Sequence, residues 1–156
     1  MNATKILLTV ILFATLSIAN AQEVGVRFGD GIGGNAAVDG LLSISKFSRV
    51  HANVSFGNGL GAEALYDFLF RPFGDGTLYW YLGVGPSVRF DDPFLFGVCG
   101  EAGLSYMFKK VPISISGDWR PTFIIIENTN FEGGWFGLNV RYVFGKRGGS
   151  DTDQTK

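Results

Sequence analysis

One histidine, one cysteine and no lysine- or arginine-rich run occur in the 156-residue chain. A single imidazole and a single thiol cannot build a His/Cys zinc site or an intramolecular disulfide. With 13 Lys+Arg against 14 Asp+Glu and a formal net charge of −1, the chain lacks the clustered cations from which nucleic-acid affinity arises. Nucleic acid is therefore excluded as a partner. Charge is scarce altogether, at 17% of residues, where a soluble domain carries ~25%. The longest apolar run falls short of the ~20 residues that a membrane-spanning helix takes. Beyond residue 21 no segment repeats its apolar residues with a helical period. What the chain has in excess is glycine, 23 residues, and aromatics, with 15 Phe, 5 Tyr and 3 Trp in a composition that is 46% apolar. The length is that of one domain.

The first 21 residues read as an address. Met1 to Lys5 carries one cation, and Ile6 to Ile18 is apolar except for Thr9, Thr15 and Ser17. Ala19-Asn20-Ala21 then supplies a small-residue cleavage site, so residues 1–21 are expected to be a cleaved signal peptide of an exported protein. No Cys follows the cleavage site, so a lipid-anchored amino terminus is not expected.

From there on the apolar residues alternate with period two, the signature of half-buried strands. The clearest segment sets Trp80, Leu82, Val84, Pro86, Val88 and Phe90 against Tyr81, Gly83, Gly85, Ser87 and Arg89. Further strands run from Phe94 to Phe108, from Ile113 to Ile125 and from Phe136 to Phe144. The first half is noisier, but the same period gives strands at Val24 to Phe28, Val38 to Ser45, Val50 to Phe56 and Ala62 to Phe70. Turn-type clusters separate them at Gly29 to Asn35, Lys46 to Ser48, Gly57 to Gly59, Arg71 to Thr77, Asp91 to Pro93, Lys109 to Pro112 and Glu127 to Gly134. Every connection is short enough for antiparallel neighbours. Pro86 and Pro121 are expected to mark bulges or bends.

The distribution of charge between the two faces decides which solvent the fold expects. The apolar face of these strands carries no Asp, Glu, Lys or Arg. The other face holds Arg27, Asp39, Glu63, Asp67, Arg89, Glu101, Asp118, Arg120, Arg141 and His51 among Gly, Ser, Asn and Thr. A soluble barrel puts large apolar residues inside and charges outside. Here the small and charged set must fill a narrow interior, which leaves the aliphatic and aromatic set facing lipid. A charge at the midplane of such a wall would cost ~2–4 kcal/mol. About ten residues at ~3.3 Å rise, tilted ~40°, climb about 25 Å, the height of an outer-membrane apolar band. Tyr66, Phe68, Phe70, Trp80, Tyr106, Phe108, Tyr142 and Phe144 fall towards one rim and predict an interfacial aromatic girdle. The fold class expected is all-β, an eight-stranded antiparallel up-and-down transmembrane β-barrel spanning residues 22–144, with residues 145–156 as a polar periplasmic tail.

On its strand count, the segment Tyr79-Trp80-Tyr81-Leu82-Gly83-Val84-Gly85-Pro86 and the closing strand Gly137 to Phe144, the chain resembles the small, porin-like eight-stranded outer-membrane β-barrel family of the OmpA transmembrane domain and OmpX type. The resemblance covers Gln22 to Phe144. It implies a bacterial outer-membrane location, outer-membrane lipid as surroundings, and Tyr142 and Phe144 as the carboxy-terminal aromatic signal read by the barrel-assembly machinery. The tail after Phe144 departs from the family pattern.

Three constellations bear on chemistry. The nearly balanced interior charges should pair into a plug, because an eight-stranded barrel is only just wide enough for side chains; a narrow pore for ions or small solutes is the competing use. Gly29-Asp30-Gly31-Ile32-Gly33-Gly34 matches a dinucleotide fingerprint in letters only, since no helix or βαβ unit follows, and no nucleotide partner is assigned. His51-x-Asn53-x-Ser55 with Glu63 is the set from which a lipid A-modifying acyl hydrolase or transferase would be built, but the alternation turns all of them into the lumen. Cys99 reads as a small buried residue. The expected role is thus structural or one of cell-surface interaction through an unidentified ligand, without catalysis, metal or cofactor. The loops Gly29 to Asn35 and Glu127 to Gly134 would face outwards.

Overall fold

The computed structural model describes residues 22–144 except 75 and 128; the expected signal peptide and polar tail lie outside the described residues. Ten strands follow in order: β1 (Glu23–Gly29), β2 (Ala36–Ser45), β3 (Ser48–Phe56), β4 (Gly61–Phe73), β5 (Leu78–Arg89), β6 (Leu95–Met107), β7 (Ile113–Trp119), β8 (Thr122–Ile126), β9 (Asn130–Glu132) and β10 (Phe136–Val143). Neighbours pair antiparallel around a closed circuit, and β1 joins β10 with Glu23 opposite Val143 and Gly29 opposite Gly137. The ten strands make eight staves, because β7 with β8 and β9 with β10 are each one stave interrupted in its ladder. The protein is a closed, eight-stranded, antiparallel all-β barrel.

Pro121 explains the first interruption. It has no N–H to give the ladder, yet the pairing with β6 keeps one register across it, from Ala102 opposite Trp119 to Cys99 opposite Thr122. On the other side Trp119 faces Phe136 while Thr122 faces Glu132. Gly133, Gly134 and Trp135 thus stand against only Arg120 and Pro121, and the stave bends there. The segment 127–134, expected to be all loop, contains β9, which continues the wall. Pro86 leaves β5 and β6 in unbroken register, whereas no ladder pair joins β4 to β5 between Glu63–Ser87 and Tyr66–Val84.

The alternation is realised as two opposite surfaces. Arg27, Asp39, His51, Glu63, Asp67, Glu101, Asp118, Arg120 and Arg141 are buried, while Val26, Val38, Tyr66, Val84, Val98, Ile115, Leu138 and Val140 are exposed. Leu138, the most open of these outward aliphatics, keeps 63% of its surface accessible, and Arg120 keeps none. Polar residues inside and apolar residues outside is the reverse of a soluble domain. No helix among the described residues is long and apolar enough to cross a membrane, which leaves open what the strands do.

Close approach between staves depends on glycine at the seam. At Gly25, which pairs with Arg141 on one side and Asp39 on the other, an added Cβ would lie 2.6 Å from the Arg141 Cα. Backbone cannot yield there as a flexible side chain would. Gly25→Val is therefore expected to abolish the compact, fast-migrating form on an unheated gel. Gly134→Ala, where a Cβ meets nothing within 4 Å, should keep it; equal migration of both variants would contradict the seam argument.

Candidate functional site

The chemistry-bearing residues stack inside the barrel in three tiers, each set by which strand positions point inwards. At the end carrying the loop between β1 and β2, Arg27 lies 2.8 Å from Asp118. Asn139 donates to the same carboxylate at 2.7 Å. Arg27 also donates to the carbonyls of Gly29 and Asp30 at 3.1 and 2.9 Å, which ties the loop to the wall.

The middle tier centres on Arg120. Its guanidinium reaches Glu63 at 2.6 Å, Glu101 at 2.9 Å and Asp118 at 3.5 Å. Glu63 also accepts from Asn53 at 2.8 Å and Ser87 at 3.2 Å. Arg141 holds Asp39 at 2.7 Å and donates to Ser116 at 2.6 Å. His51 bridges the two groups, with Nε2 2.8 Å from Asp39 and Nδ1 2.9 Å from Glu101. Each central carboxylate is thus held from more than one side, as a buried charge requires.

At the end carrying the termini, Arg49 lies 2.6 Å from Asp67. Its guanidinium is clasped between the rings of Phe70 and Tyr81, 4.3 and 4.4 Å from their centroids. The flat, weakly hydrated guanidinium is suited to such a ring contact. Glu23 accepts from Ser114 at 2.7 Å.

Of the expected charge network, Arg27, Asp39, Glu63, Asp67, Glu101, Asp118, Arg120 and Arg141 meet in these tiers. Arg89 does not: it is half-buried near the loop-end mouth and forms no ion pair among the described residues. Two charged interior residues escaped the sequence reading, Glu23 and Arg49. Both have the inward parity of their strands, and extending those strands by one residue would have found them.

The expected girdle is divided. Tyr66, Phe68, Tyr106, Phe108, Tyr142 and Phe144 are exposed and Trp80 is half-buried. Phe70 requires correction. The register between β4 and β5 shifts from Asp67–Gly83 to Leu69–Leu82, so one extra residue at Phe68 reverses the inward and outward order and sets Phe70 opposite the buried Tyr81. Phe70 stacks on Tyr79 at 4.7 Å inside the barrel. Tyr142 and Phe144, the expected assembly signal, touch edge to face with centroids 4.8 Å apart. A second aromatic rim, which the sequence reading missed, surrounds the loop end, where Phe28, Phe56, Phe90, Phe94, Trp119 and Phe136 are exposed.

The loop between β1 and β2 folds over the mouth. Ile32 is buried, Gly33 N–H donates to Ser55 at 3.1 Å, and Gly33 carbonyl accepts from Asn58 at 3.0 Å. Ser55 is thereby engaged with the loop, and among the described residues no hydrogen bond joins it to His51; Asn53 is turned to Glu63. The glycine-rich segment runs into strand β2, not into a helix. Cys99 is buried and donates to the carbonyl of Gly100 at 3.2 Å. His51, Asp67 and Glu101 present possible metal-ligating atoms within 4.8 Å of one another, but Arg120 and Arg49 already hold the two carboxylates. Searches of protein-family models, curated proteins and solved structures return no match to this chain.

Arg120 is the interior group whose loss is least tolerable. Arg120→Met leaves Glu63 and Glu101 buried without their principal cation, which should lower the unfolding free energy by about 3–5 kcal/mol. Lys110→Met, at an exposed position, should change it by no more than about 0.5 kcal/mol. The urea midpoint of refolded protein reads both, and an unmoved midpoint for Arg120→Met would show that the tier is not structural.

Proposed function

We propose that the protein is an integral bacterial outer-membrane barrel of the small eight-stranded type, with a sealed lumen, a structural or surface-interacting role and no catalysis. The observation that carries this reading is the reversal of faces: ion pairs buried inside, and an aliphatic wall with aromatic rims outside. A wall of that kind is stable against lipid tails and unstable in water. Closure also satisfies the backbone groups that lipid cannot. Trp119 has the form of an interfacial anchor, with its ring on the apolar wall and its Nε1–H donating to the Gly133 carbonyl at 2.7 Å. In the outer membrane the termini would lie in the periplasm, the β1–β2 loop would face outwards, and biogenesis would use the barrel-assembly machinery.

Two measurements test this reading. The protein should fractionate with the outer membrane and migrate faster unheated than boiled; remaining soluble without detergent would overturn the membrane assignment. In planar bilayers the three tiers and the Ile32 cap should give no steady conductance, and large ion-selective channels would favour the pore instead.

A further inference from the structure

The buried strand arginines are each joined to a carboxylate, whereas the half-buried Arg89 forms no ion pair among the described residues, the nearby Asp91 carboxylate accepting from the Leu60 N–H instead. The Arg89 Nε is buried and lacks a hydrogen-bond partner, and the residue borders a half-enclosed cavity of about 260 Å³ at the loop-end mouth. Asp30, Glu132, Leu95, Ile124 and Trp135 share that lining. The Asp30 carboxylate makes no hydrogen bond among the described residues, and Glu132 accepts one from Asn130 at 2.6 Å. A volume below the ~300–1,000 Å³ of drug-sized pockets limits the occupant to a molecule of about amino-acid size.

The charges select its class. A guanidinium without an acceptor is a two-pronged receptor for a carboxylate, but two carboxylates in the same lining repel a simple anion. A simple cation would leave Arg89 unanswered. A zwitterion satisfies both signs, and the apolar side of the cavity offers Leu95, Ile124 and the Trp135 indole to a bulky side chain.

We propose that this mouth cavity binds a free α-amino acid with a large apolar side chain, its carboxylate on Arg89, its ammonium towards Asp30 and Glu132, and its side chain against Leu95, Ile124 and Trp135. The inference deepens the surface-interaction part of the proposed function and rests on it for outward access, while the site itself belongs to the barrel whatever surrounds the wall.

Calorimetric titration of the full chain, refolded in detergent micelles, tests the site. L-phenylalanine should bind saturably, and phenylpropionate, which lacks the ammonium, and phenethylamine, which lacks the carboxylate, should each bind about tenfold to a hundredfold more weakly. Arg89→Gln should weaken phenylalanine binding by a similar factor while keeping the compact band, since no interior carboxylate depends on it. Should Arg89→Gln fail to fold, Asp30→Asn at its exposed position gives an independent reading: weaker phenylalanine and tighter phenylpropionate binding. Absence of saturable phenylalanine binding, phenylpropionate binding as tightly as phenylalanine, or an unchanged affinity in Asp30→Asn would overturn the proposal. Micelle titration is indifferent to cellular location, so its failure is distinct from failure of the membrane reading, which fractionation decides.

Discussion

Arg120 sits between Glu63, Glu101 and Asp118, and much of the structure follows from the need to keep that contact satisfied. An eight-stranded barrel has room for side chains and little else, so the charges inside must neutralise one another at hydrogen-bond distance. Four arginines, Arg27, Arg49, Arg120 and Arg141, share the buried interior with Glu23, Asp39, Glu63, Asp67, Glu101 and Asp118. His51 joins the Arg120 group to the Arg141 group through Glu101 and Asp39. Glycines then become structural by absence: a Cβ on Gly103 would collide with the Tyr81 ring, and one on Gly137 with the Arg27 guanidinium. The interior is a polar core held by geometry in place of the apolar core of a soluble domain.

The exterior answers the same constraint from the other side. Once one face of each stave is given to charge, the opposite face receives the aliphatic and aromatic residues, and the barrel surface becomes an aliphatic band between two aromatic rims. Trp119 and Phe136, with ring centroids 6.5 Å apart, belong to the rim at the loop end. Tyr106 and Phe108, 5.0 Å apart, belong to the rim at the termini. A single such residue would mean only local packing, whereas two opposed rims are the pattern that the proposed membrane reading calls for.

The strand count, antiparallel order and inward charges were legible because period-two alternation needs no long-range information. Two features were not legible and a third, Arg49, was legible only in part, for identifiable reasons. Phe70 reads as outward from its spacing with Phe68 and Tyr66; its inward turn depends on a bulge at Phe68 fixed by the partner strand's register. Arg49 looks like a turn residue beside Lys46 to Ser48, although its parity matches His51, and its burial depends on rings from β4 and β5. Ile32 lies in a glycine-rich loop with no periodicity to read, and becomes a cap only because Gly33 meets Ser55 and Asn58 across the mouth. Alternation within one strand is local, whereas bulges and caps are set by neighbours.

The central claim is that the outer wall meets lipid hydrocarbon. Trp80 and Trp119 carry that claim, since both have the outward parity of their strands and Trp135 alone among the tryptophans borders the mouth. The most direct measurement is tryptophan fluorescence of the Trp135→Phe variant refolded into vesicles whose acyl chains carry bromine. The account predicts strong quenching relative to unbrominated vesicles and little quenching by aqueous iodide. Emission unaffected by bromine and fully open to iodide would contradict it.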